Sequence, residues 1–146
     1  MAEKIAAPIT HKTLVSAPQE AVFDALATSA GFDRWFTDGT TLEGKPGGEM
    51  VLCWVDWGAD RVTTESNCRV VTYERPDRFS YSWWTDPSTT VSLEFSTTDE
   101  GTLVTVHEEG YQNSPTGWER CLDCATGWGE ALTLVKFYLE HGVTYR

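Results

Sequence analysis

Glu108 is the residue of this chain best placed to do chemistry inside the protein. It falls in phase with Val104 and Val106, so a regular strand turns its carboxylate toward the same apolar face as those valines. There it can act as an acid, a base or an anchor for a ligand. If the strand ends nearby, the same side chain reaches water instead. Tyr81 supplies a phenol on a strand face shared with Phe79 and Trp83, and with Glu108 it would suffice for general acid/base work. His107 and Glu109 alternate to the opposite, solvent-facing side. Arg69 shares parity with Val71 and Tyr73, which would bring a cation toward Glu108 as a costly buried ion pair.

The thiols offer less. Cys121-Leu122-Asp123-Cys124 has the spacing of a redox motif, but it falls inside a helical pattern rather than at a helix N-terminus beside a βαβ unit. A four-thiolate zinc site would need that helix to reach the hairpin carrying Cys53 and Cys68. The cysteines therefore read as small core or half-buried residues. No Ser-His-Asp order, phosphate-cradling glycine loop, HExxH pair or dinucleotide fingerprint occurs in the sequence, so neither metal nor cofactor is expected.

Large aromatics are the other signal. Trp54 shares a strand face with Met50 and Leu52, and Trp83 shares one with Phe79 and Tyr81. Val91, Leu93 and Phe95 form a third such face. Trp118 and Trp128 oppose these faces from a helix, while Trp35 and Phe36 would close one end. A solid core prefers leucine, isoleucine and valine, whereas indole N–H and phenol O–H groups need partners. The candidate ligand-binding set is thus Trp35, Phe36, Trp54, Tyr81, Trp83, Glu108, Trp118 and Trp128, with a simply filled core as the alternative.

These groups need elements to position them. From Ser114 to Gly142, apolar residues at Trp118, Cys121, Leu122, Ala125, Trp128, Leu132, Val135 and Leu139 recur at three- and four-residue steps. That predicts an amphipathic helix of about 27 residues, roughly 40 Å long, with Ser114-Pro115 as its start and Gly142 as its stop. Gly127 and Gly129 inside it call for a kink, a close backbone approach or a ligand entrance. Leu134 and Phe137 lie off the stripe, against either the first helices or a second copy of the chain.

Upstream, Ile9 to Val15 reads as a strand, and Ser16 to Gln19 has the form of a capping box opening a first helix. A shorter helix begins near Ser29 and ends at Arg34-Trp35-Phe36, before a loop from Gly39 to Gly48. Met50 to Val55, Cys68 to Glu74, Phe79 to Trp84, Thr90 to Ser96 and Thr102 to Glu109 then read as strands of an antiparallel meander. The fold class is α+β.

The 146 residues suit one domain, 1–146, and the net charge of −11 excludes nucleic acid as a partner. No apolar run approaches the ~20 residues of a bilayer span, and Met1 to Lys12 lacks a signal-peptide core, so membrane insertion is not expected and a cytoplasmic location is.

Motif order adds a resemblance. Ala17-Pro18-Gln19-Glu20-Ala21-Val22-Phe23-Asp24-Ala25-Leu26, Arg34-Trp35-Phe36, Pro46-Gly47-Gly48-Glu49-Met50 and Pro76-Asp77-Arg78-Phe79-Ser80-Tyr81-Ser82-Trp83 come first. Gly101-Thr102-Leu103-Val104-Thr105-Val106 and Gly127-Trp128 with Leu132 and Leu139 follow. Together they resemble the START-like, pollen-allergen-type helix-grip superfamily (SRPBCC), and within it the family named for the activator of the heat-shock protein 90 ATPase. The resemblance implies a curved antiparallel sheet of six strands around the long C-terminal helix, two short helices after the first strand, and a cavity for apolar small molecules. Three functions compete: a carrier or sensor of a hydrophobic ligand, an acid/base enzyme of the polyketide cyclase/dehydratase type, and an interaction module contacting a chaperone ATPase.

Overall fold

A computed structural model describes residues 3–6, 9–84 and 88–144. The chain runs β1 (Ile9–Val15), α1 (Gln19–Ala27), α2 (Ser29–Trp35), β2 (Thr41–Leu42), β3 (Glu49–Trp57), β4 (Val62–Glu74), β5 (Arg78–Trp83), β6 (Thr90–Thr98), β7 (Gly101–Glu109) and α3 (Pro115–His141). One sheet orders these strands β1-β7-β6-β5-β4-β3-β2, so β1 and β2, consecutive in sequence, form opposite edges. Helices α1 and α2 carry the chain from one edge to the other. The α+β class and the long terminal helix agree with the sequence reading.

The strand count does not. Among the described residues there are seven strands rather than six, because Thr41 and Leu42 leave the glycine-flanked loop to pair with Val51 and Met50. Two residues are too few to show an alternating pattern. Irregularities between Trp54 and Trp57 and between Val70 and Thr72 interrupt the ladders, and such bulges bend a sheet.

The second bulge overturns the Arg69 expectation. Val70 pairs with Tyr81 and Thr72 with Ser80, which leaves Val71 over and flips the inward parity from Val70 to Tyr73. Arg69 is consequently on the outer face, donating to the Gly47 carbonyl at 3.2 Å with its guanidinium 4.7 Å from the Trp84 ring centre.

The capping box is also absent. α1 starts after Pro18 with no side-chain cap. Gln19 instead ties the helix to the sheet, its Nε2 within reach of Phe95 O (2.9 Å), Asp77 Oδ1 (3.0 Å) and Pro76 O (3.2 Å). At the other helix the reading holds: Ser114 caps α3 by accepting from Gly117 N, and Gly142 closes it at φ 69°, a left-handed angle that favours glycine.

Val15, Val22, Phe23, Leu26, Met50, Phe79, Leu93, Val104, Leu132 and Val135 form the main core between sheet and helices. α3 enters it only through its second half. Ala131, Leu132 and Val135 are buried, whereas Trp118, Leu122 and Ala125 of the expected stripe are exposed. Leu134 joins the core and Phe137 remains on the surface.

An ionic clasp fixes the C-terminal end of α3 to β1. Lys136 Nζ donates to the Leu14 carbonyl and to Glu140 Oε2 (2.7 Å), and Ser16 N donates to the same carboxylate at 2.9 Å. The lysine bond first, and the Ser16 N–H next, hold the Glu140 carboxyl below its ordinary value of 4.5, with the charges of Lys136 and His141 adding to the effect. A carboxyl depressed in the folded state stabilises fully above its unfolded value and loses that contribution as pH falls through the lower, folded one. Urea titrations should therefore find Glu140→Gln less stable than the parent at pH 7. The gap should close as pH drops below the ordinary value; a gap unchanged down to acid pH would refute the clasp.

Candidate functional site

Beneath the middle of α3, between a small cluster of Cys121 with Ile9 and Tyr111 and the main core at Ala131, Leu132 and Val135, a cavity of about 290 Å³ opens. Its wall is assembled from four directions. Trp35 and Phe36, at the end of α2, stack at 4.8 Å with an interplanar angle of 12°. Trp35 is held by its indole N–H donating to the Ala25 carbonyl at 2.8 Å. Phe36 meets Trp54 and Trp57 of β3 edge to face, at 5.4 and 5.2 Å. Tyr81 and Trp83 of β5 form another edge-to-face pair at 5.6 Å. α3 supplies Cys124, Trp128 and Ala131, with Asp123, Gly127 and Glu130 exposed on the rim. The opening therefore lies along that flank of the helix.

Glu108 is part of this wall and 2% exposed, so its strand stays regular long enough to aim the carboxylate inward. Oε2 accepts from Thr89 Oγ1 at 2.9 Å and from the Tyr111 hydroxyl at 2.6 Å, and Oε1 accepts from Trp128 Nε1 at 2.8 Å. All three are neutral donors. Its charge and, above all, burial push neighbouring groups toward their neutral forms: the Tyr81 phenol rises well above its usual value, the Tyr111 phenol rises, and the Cys68 thiol is pushed up to about 12. Desolvation raises Cys121 and Cys124 as well, with the Glu108 charge acting the same way. Thiolate chemistry is disfavoured throughout this region.

Tyr81 is 2% exposed, lines the cavity, and its hydroxyl has no hydrogen-bond partner among the described residues. It is thus a free polar handle in an otherwise aromatic chamber.

Seven of the eight sequence candidates meet in one wall: Trp35, Phe36, Trp54, Tyr81, Trp83, Glu108 and Trp128. Trp118 does not. It is 45% exposed in the first turn of α3, its indole donating to Asn113 Oδ1 at 2.8 Å. Helical periodicity places it on the stripe, but the covered part of that stripe begins at Cys121, which packs with Ile9 and Tyr111. Sequence reasoning missed Trp57 because the β3 irregularity breaks alternation; two tryptophans three apart on a strand were the available signal. It also missed the rim acids Asp123 and Glu130, which carry no pattern of their own.

Gly127 borders the cavity, and a Cβ added there or at Gly129 would meet nothing within 4 Å. Close backbone approach is therefore not the reason for either glycine. With helical geometry and free space, Gly127→Ala should stabilise the fold by about 0.5–1 kcal/mol, a rise of roughly 2–3 °C in Tm. A fall on differential scanning calorimetry would show that the helix bends here in solution.

A long helix gripped by a bent, open antiparallel sheet, with a chamber between them, defines a START-like helix-grip protein. Residues 16–140 match the family described as activator of Hsp90 ATPase homolog 1-like protein, and the chain belongs to that family. No curated protein matches it. Among solved structures it is similar to a Staphylococcus saprophyticus protein at 24% identity and TM-score 0.78, covering 95% of this chain and 96% of that one. The Aha1 dimer from Colwellia psychrerythraea is 19% identical with TM-score 0.74, covering 93% and 98%. DynU16, a protein of the dynemicin biosynthetic locus, is 19% identical with TM-score 0.80, covering 97% of this chain and 50% of that one. At these identities the likeness is one of fold.

Proposed function

We propose that this protein binds an apolar small molecule in the chamber between its sheet and α3, as a cytoplasmic carrier or sensor. One observation carries the reading: a cavity of about 290 Å³ walled by aromatic rings, with the Tyr81 hydroxyl left without a partner among the described residues. A few polar groups in an apolar concavity are what orient a bound organic molecule. The volume suits a body of one or two rings rather than a long acyl chain. Among the described residues no helix is long and apolar enough to cross a membrane.

Native mass spectrometry and thermal shift against a panel of lipids, polyketides and small aromatics test this. A retained adduct with a raised Tm is the expected result. A panel that leaves both mass and Tm unchanged would sink the reading.

An acid/base enzyme of the polyketide cyclase/dehydratase type is the second reading, favoured by the presence of Glu108 and Tyr81 in one wall. Turnover of a bound ligand that survives Glu108→Gln intact would remove it. Contact with a chaperone ATPase has the family description and the net charge of −11 in its favour, and pairing of two copies has the likeness to the Aha1 dimer and the exposed Phe137 in its favour.

A further inference from the structure

We propose that the chamber selects an organic cation: a protonated amine or quaternary ammonium group on a small aromatic or alicyclic body. This rests on the ligand-binding reading above and narrows its chemistry.

The charge balance of the wall comes first. Glu108, Asp123 and Glu130 contribute to it, and no lysine, arginine or histidine does among the described residues. Arg120 lies one turn before Cys124 on α3, and its charge reaches that thiol, but it is not part of the wall. The described partners of Glu108 are dipoles, which solvate its charge without neutralising it. A carboxylate offers about four acceptor positions, and three are filled, which leaves one on Oε1. An N–H donor carrying a positive charge is the ligand group that completes this carboxylate best.

The aromatic walls point the same way. Phe36 meets Trp54 and Trp57 at interplanar angles of 79° and 86°, and Tyr81 meets Trp83 at 70°. The rings of the wall, Trp35, Phe36, Trp54, Trp57, Trp83 and Trp128, are the side-chain type that attracts a cation over its face. The Tyr81 oxygen, 2% exposed as a residue and unpartnered among the described residues, can accept a second N–H. A neutral apolar ligand would leave both acceptors empty, and an anionic one, such as a fatty acid, would bring like charge beside Glu108. The protein's net charge of −11 also draws cations toward the rim and repels anions.

Isothermal titration with three probes of one shape tests this: 2-naphthylmethylammonium, 2-naphthalenemethanol and 2-naphthoate. The amine should bind at least about tenfold more tightly than the alcohol, and the acid should bind weakest. Glu108→Gln should abolish the preference for amine over alcohol. Asp123→Asn with Glu130→Gln, both on the exposed rim, should weaken the amine about threefold relative to the alcohol. Alcohol binding equal to amine, or acid binding tighter, overturns the cation inference while the chamber reading survives. An amine preference that persists unchanged in both variants overturns it as well, because the carboxylates would not be its source. If none of the three probes binds and the broader neutral panel also fails, the chamber reading falls and takes this inference with it.

Discussion

Phe23→Ala is expected to destabilise the fold by about 4 kcal/mol, while Trp83→Ala, which removes a larger side chain, should cost only about 1–2 kcal/mol. The difference comes from what lies around each ring. Phe23, on α1, is fully buried and packs edge to face against Tyr73 at 5.4 Å and Phe95 at 5.2 Å. Atoms close over it on every side, so its loss leaves a void that packed neighbours cannot fill. Trp83 is half-buried and borders the chamber, so part of its surface already lacks protein neighbours. Removing it enlarges a space that exists. Binding should respond in the reverse order: Trp83→Ala should weaken any chamber ligand by at least about tenfold, because aromatic contact area sets much of the affinity there. Urea unfolding and calorimetric titration of both variants provide the check. Equal stability losses would mean that the space beside Trp83 is filled in solution and that no chamber exists.

This contrast also explains which parts of the molecule were legible from sequence. The core strands announce themselves because one face is dry and the other wet. Val91, Leu93 and Phe95 are buried, as are Val104 and Val106, and each set reads as strict alternation. α3 announces itself by caps at both ends, Ser114 and Gly142. Apolar rhythm places the start of β4 at Cys68, yet the strand starts at Val62. The residues from Val62 to Glu65 are exposed on both faces, and a strand wetted on both sides has no apolar rhythm to detect. Bulges mislead differently. They leave every residue in a strand but invert the parity beyond them, so simple alternation points Arg69 inward and gives no sign of Trp57.

The same logic separates Glu108 from Trp118. Glu108 has a paired strand on either side, with Ile9 of β1 and Val91 of β6 as its neighbours in register, so its direction is fixed by two ladders and strand parity is a safe guide. Trp118 has only helical periodicity, which states which residues share a face but not whether anything covers that face. Sequence can therefore nominate a wall more securely from strands than from a helix, whose apolar periodicity continues through Trp118, Leu122 and Ala125 although these are exposed.

The sharpest stability test falls on Glu108 itself, through two substitutions that separate its hydrogen bonds from its charge. Glu108→Ala is expected to cost about 3–4 kcal/mol, because it orphans Thr89 Oγ1–H, Tyr111 O–H and Trp128 Nε1–H together. Water entering from the chamber can serve part of that need, which keeps the loss below the sum of three charged hydrogen bonds. Glu108→Gln should stay within about 1 kcal/mol of the parent. Its amide oxygen can still accept from the Trp128 indole, the one partner that only donates. Its NH2 can face Thr89 and Tyr111, whose hydroxyls rotate to accept, and the Tyr111 hydroxyl also has the Cys124 thiol within reach. Relief from burying an unneutralised charge offsets what the weaker, neutral bonds give up. Urea midpoints at pH 7 read both changes. A Gln variant as damaged as the Ala variant would mean that the negative charge itself holds the fold, and a harmless Ala variant would mean that the three donors have other acceptors.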